Sequence, residues 1–84
     1  MKYKDVRKRI KALRRRRHNV KPREIEDLAI DAGWVYDRTE GSHATYIKNE
    51  FPSILTIKQG NIGGDLVAKL LNLIEASLSE EGEE

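Results

Sequence analysis

The sequence predicts a small α+β fold in the order helix, strand, strand, strand, helix, preceded by an additional N-terminal helix. Three observations predict it. Apolar residues recur at helical spacing before residue 33 and after residue 63, and the stretch between them alternates polar and apolar residues in short runs. Those runs are separated by Thr39-Glu40-Gly41-Ser42 and by Asn49-Glu50-Phe51-Pro52-Ser53, both rich in turn formers. Eighty-four residues with 38% hydrophobic content allow one small domain and no second core.

The first helix carries Tyr3, Val6, Ile10 and Leu13 on one stripe, with Lys2, Lys4, Arg7, Lys8, Lys11, Arg14 and Arg15 on its flanks and back. Arg14, Arg15, Arg16 and Arg17 then wrap its last turn, where cations complement the negative end of the helix dipole. Residues 1–20 therefore form a basic helical extension. Three uses are open for it: its stripe docks on the body or on a second copy in a homodimer, its cations contact nucleic acid, or it docks on acidic surface of its own or a neighbouring chain.

His18-Asn19-Val20-Lys21-Pro22 ends that helix and starts the next, because proline is tolerated in a first helical turn. Ile25, Leu28, Ala29 and Ala32 form the second helix's buried stripe, and Gly33 supplies the left-handed residue that closes it. His18 reads as a solvated or capping side chain. Strands follow at Trp34 to Arg38, His43 to Lys48 and Ile54 to Lys58, most economically paired as an antiparallel meander. Alternation puts His43, Thr45 and Ile47 on one face of the middle strand and Ala44, Tyr46 and Lys48 on the other, with Ala44 and Tyr46 expected inside.

Gln59-Gly60-Asn61-Ile62-Gly63-Gly64 is too glycine-rich to extend a strand, and it lacks the Gly-Lys-Ser/Thr ending of a nucleotide-binding loop. It reads as a tight entry into the last helix, about Gly64 to Leu78. That helix buries Val67, Leu70, Leu71, Ile74 and Leu78, with Leu66 and Leu73 widening the stripe. The expected organisation is thus a basic extension over residues 1–20, a domain over 21–79 and an acidic tail over 80–84.

Charge is divided by segment. Residues 1–23 hold twelve of the sixteen Lys and Arg against one acid, Asp5, a balance of +11; residues 24–84 hold four Lys and Arg against thirteen acids, a balance of −9. Local charge density, more than the net +2, governs affinity for a polyanion. With no cysteine and only two histidines, disulfides and a metal cluster are not expected, and no cofactor is. No apolar stretch is long enough to span a membrane, so no membrane partner and a cytoplasmic location are expected.

Gly41-Ser42-His43 concentrates the chemistry, because a histidine sits at the mouth of a hairpin. Before it runs a helix ending in Ala32-Gly33-Trp34-Val35; after it come Tyr46, then Ile54-Leu55-Thr56-Ile57, the glycine-rich loop and a final helix. In order and spacing this resembles the HicA family of toxin ribonucleases over roughly residues 24–77, with the basic N-terminal helix added. The resemblance implies a double-stranded-RNA-binding-domain-like two-layer sandwich with both helices of the α-β-β-β-α unit on one sheet face. It also implies an endoribonuclease acting on mRNA, with a cognate HicB-like antitoxin as partner, and gives His43 the catalytic role with Gly41 and Ser42 as its supporting turn.

Cleaving RNA in this way requires the 2′-hydroxyl to lose a proton as it attacks the neighbouring phosphate and the 5′-oxygen to gain one. Imidazole suits either role, since its ordinary pKa of about 6.5 lies near working pH. Charge developing on the phosphate needs a cation, for which Arg38, Lys48 and Lys58 are nearest by strand geometry, beside Arg14 to Arg17 of the extension as RNA contacts. Two other classes stay open at this point. One is a non-catalytic nucleic-acid-binding module; the other is an interaction subunit that dimerises through the N-terminal helix.

Overall fold

A computed structural model of the chain describes residues 3–80. Helix α1 spans Lys4–Arg15, a 3-10 turn covers Arg17–Asn19, and α2 spans Pro22–Asp31. Strands β1 (Val35–Glu40), β2 (His43–Ile47) and β3 (Leu55–Lys58) precede α3 (Gly64–Glu80). The strands form one antiparallel sheet in the order β1-β2-β3. The α+β order expected from sequence is the one observed.

Helices α2 and α3 pack on the sheet, because each brings one apolar stripe to it: Ile25, Leu28, Ala29 and Ala32 from α2, and Val67, Leu70, Leu71, Ile74 and Leu78 from α3. Ala44, Tyr46, Leu55 and Ile57 meet them from the strands. Pro22 occupies the first turn of α2, Glu24 accepts the Lys21 backbone N–H at 2.9 Å, and Gly33 closes the helix at φ +98°. Val20 and Ile62, from the two connecting segments, are also buried.

The N-terminal helix belongs to this core. Tyr3, Val6, Ile10 and Leu13 are all buried in the cluster that contains the α2 and α3 stripes. Arg9 pairs with Asp31 at 2.6 Å and Arg16 pairs with Glu24, so α1 runs antiparallel to α2. Dimerisation through the apolar stripe of α1 is corrected by this packing: α2 and α3 already cover the stripe. Ile10→Ala should accordingly cost about 2–5 kcal/mol in chemical denaturation, as a core truncation does. A loss below about 0.5 kcal/mol would show that α1 is peripheral.

Two features of the chain path differ from expectation. The four arginines do not share a helical turn: α1 ends at Arg15, Arg16 caps it, and Arg17 begins the 3-10 turn. The β1–β2 connection is shorter than four residues, since Glu40 faces His43 across a two-residue loop of Gly41 and Ser42. Gly41 at φ +61° provides the positive dihedral such a loop requires. A bulge between Tyr36 and Arg38, at Asp37, lets β1 run on to Glu40. Of the expected acidic tail, Glu80 ends α3 and residues 81–84 lie outside the described residues.

Trp34 anchors the join between α2, the sheet and α3. Its indole N–H donates to Ser77 Oγ at 3.1 Å, and Ser77 Oγ donates to the Ile74 carbonyl at 2.6 Å. Phe51 packs edge-on to the indole at 5.5 Å between ring centres. Lys48 enters the same network, with Nζ 3.3 Å from Ser77 Oγ and 3.4 Å from its carbonyl, and 5.1 Å from the centre of the Tyr3 ring.

Candidate functional site

The helices cover one face of the sheet, and strand alternation with the observed register fixes what stands on the other. Glu40, His43 and Lys58 form one row across the three strands, since Glu40 faces His43 and His43 faces Lys58. Side chains directly opposite on neighbouring antiparallel strands have Cβ atoms roughly 4.5–5.5 Å apart, so the imidazole stands between a carboxylate and an ammonium. All three residues are exposed. Arg38, Thr45 and Thr56 make the next row, in which the central Thr45 is buried between its neighbours, and Val35 facing Ile47 the one beyond.

His43 is held by its backbone. It begins β2 immediately after the two-residue loop, and the Ser42 carbonyl accepts the Gln59 N–H at 2.7 Å, which ties the hairpin mouth to the end of β3. Gln59 Nε2 in turn donates to Glu26 of α2 at 2.7 Å and to the Ile57 carbonyl at 3.1 Å. The turn residues Gly41 and Ser42 thus position the histidine, while Gly41 itself is open to solvent with nothing within 4 Å of an added Cβ.

Of the cations expected near His43, Lys58 is its direct neighbour. Arg38 stands one row further along and is engaged: its guanidinium donates to Asp37 and lies 3.4 Å from Glu40, and the Asp37 hydrogen bond raises its pKa further above the ordinary range. Lys48 is on the opposite, covered face of the sheet, buried against Ser77 and Tyr3. It therefore cannot serve a phosphate held at His43. The parity of β2 already put it on that face; what sequence did not give was Tyr3 and Ser77 closing over it.

The arginine cluster is likewise divided by the fold. Arg14 pairs with Glu75 at 2.7 Å, and Arg16 donates to the Glu24 carboxylate and to the Asn19 carbonyl at 2.9 Å. That hydrogen bond from Arg16, helped by the Lys21 backbone N–H, holds the Glu24 carboxyl below its ordinary range. Arg15 is exposed, and Arg17 lies in the 3-10 turn beside His18. Arg14 to Arg17 consequently do not act as one patch.

His18 lies over the start of α3, where a Cβ built on Gly64 would come within 2.4 Å of its ring, so a side chain there would have to displace the imidazole. The 3-10 turn and the glycine-rich loop enclose a cavity of ≈180 Å³ lined in part by His18, Lys21 and Asn61. Among the described residues, no group of three or more His, Asp or Glu side chains is placed to hold a metal ion. No described helix is long and apolar enough to cross a membrane.

At the far end of the solvent-facing sheet, Val35, Ile47 and Ile54 expose 61%, 43% and 53% of their surface. An apolar patch therefore shares a face with the polar row at His43. Glu40, the residue that sequence reasoning did not place beside His43, would have been found from a two-residue hairpin, because the loop length alone sets that pairing. No protein-family model, curated protein or solved structure matches this chain.

Proposed function

We propose that this chain is a HicA-like endoribonuclease that cleaves mRNA without a metal, with His43 as general acid/base. The row of Glu40, His43 and Lys58 carries this reading. It offers a proton carrier flanked by an acceptor and a cation, on an exposed face, directly after the Gly41-Ser42 turn that motivates the family resemblance. RNA laid across the sheet would present its 2′-hydroxyl to the imidazole, and Lys58 would meet the charge that develops on the phosphate. Glu40, opposite His43 on β1, is the carboxylate nearest the imidazole by strand register. The finer fold assignment, a double-stranded-RNA-binding-domain-like sandwich, and a cytoplasmic location go with this reading.

A HicB-like antitoxin is the partner proposed with it. The apolar patch of Val35, Ile47 and Ile54 supports that part, since a protein seated on it would also cover His43.

The cation assignment separates Lys58 from Lys48. Cleavage of a labelled RNA by Lys58→Ala should fall at least tenfold, because the phosphate loses its nearest positive charge. Lys48→Ala should be less stable but keep its rate at a temperature where it is folded. Equal cleavage by Lys58→Ala and wild type would remove the sheet face as the place where the phosphate sits.

A further inference from the structure

We propose that the outer face of α1 is a docking surface for the phosphate backbone of double-helical nucleic acid. Lys4, Lys8, Lys11 and Arg15 recur at i, i+4, i+7 and i+11, which at 3.6 residues per turn confines them to a sector of roughly 60°. That sector points about 150° away from the buried stripe of Tyr3, Val6, Ile10 and Leu13. All four side chains are exposed, and none makes an ion pair with a described residue. Along the helix axis the row is about 16 Å long, which parallel to a duplex spans about five phosphates of one strand.

The rest of α1 shows that this row is segregated. Acids reach the helix on the side facing α2, where Arg9 is taken by Asp31 and Arg16 by Glu24. On the other side, the groove towards α3 is lined by Arg7 and Arg14 as well as the lysines, and Glu75 is the acid in it, bound to Arg14. Like charges at i, i+3 and i+4 repel, so a helix selected for stability alone would intersperse carboxylates here. The body beyond residue 23 is acidic overall, so positive charge is concentrated in the N-terminal segment that carries this row.

The occupant follows from what the row lacks. Single strands are held by aromatic side chains on which bases stack, and the one aromatic residue of this segment, Tyr3, is buried. A lipid surface is held by an amphipathic helix that inserts its apolar stripe, and that stripe is in the core. Four cations in a line on a rigid helix, with no group that reads a base, match backbone phosphates already ordered by a duplex. Base sequence should not matter. The inference does not rest on His43, and His43→Ala protein should bind a duplex as wild type does.

The test is binding of a labelled duplex of about 20 base pairs over a range of salt, with four contacts expected to give a slope of log K against log salt near −3.6. RNA and DNA duplexes should both bind. The variant Lys4→Gln/Lys8→Gln/Lys11→Gln/Arg15→Gln should lose at least tenfold in affinity and most of the slope, while circular dichroism shows it folded. Arg9→Gln/Arg16→Gln, which removes paired cations, should keep both. An unchanged slope in the four-site variant overturns the proposal. So does a single strand of the same length binding as tightly as the duplex, or row-dependent binding to phosphatidylserine vesicles without duplex binding.

Discussion

Trp34→Ala should lower the stability of the domain by about 3–5 kcal/mol, the range for truncating a large buried aromatic. The indole is 2% exposed, packs against Phe51 and donates its N–H to Ser77 Oγ, so the substitution opens a cavity and takes one donor from that hydroxyl. Ser77 and Lys48 would be left facing the void. A domain of this size is commonly stable by 5–15 kcal/mol in total, so the loss is a large share. At roughly 4–8 °C per kcal/mol, the thermal midpoint should fall by about 12 °C or more. Tyr36→Ala, at a ring 52% exposed on the edge strand, should shift it far less. Equal shifts for the two would place the centre of the core elsewhere.

The elements themselves were legible in sequence because each announces its period over a long enough run. The stripes of α2 and α3 and the inward Ala44 and Tyr46 are buried as their spacing dictates. Local turn geometry was less legible. Thr39 and Glu40 read as turn residues, yet the Asp37 bulge and the positive φ of Gly41 carry β1 through them, and that moved Glu40 opposite His43.

What the sequence could not show are pairings between distant residues. Arg14 meets Glu75 across 61 positions and Lys48 meets Ser77 across 29, and no periodicity encodes either. Those pairings, with that of Arg16 to Glu24, take Arg14, Arg16 and Lys48 out of the pool of cations open to RNA, and leave Lys4, Lys8, Lys11 and Arg15 in it. The basic stripe was visible from composition; which cations are spent within the fold was not.

Removing His43 should abolish RNA cleavage while sparing the fold, since the residue is exposed on the sheet face and is not a member of the buried core. General acid–base catalysis by a positioned side chain commonly contributes on the order of a hundred- to ten-thousand-fold, and His43→Ala should lose that factor. Its melting temperature should match wild type, because surface substitutions away from caps and networks usually change stability by less than about 0.5 kcal/mol. The most direct measurement is incubation of the purified protein with a labelled RNA, with and without EDTA, beside His43→Ala. The account predicts cleavage by wild type that EDTA does not affect, products ending in a 2′,3′-cyclic phosphate and a 5′-hydroxyl, and no cleavage by the variant. Cleavage that EDTA abolishes, cleavage that persists unchanged in His43→Ala, or none by the wild type would contradict it.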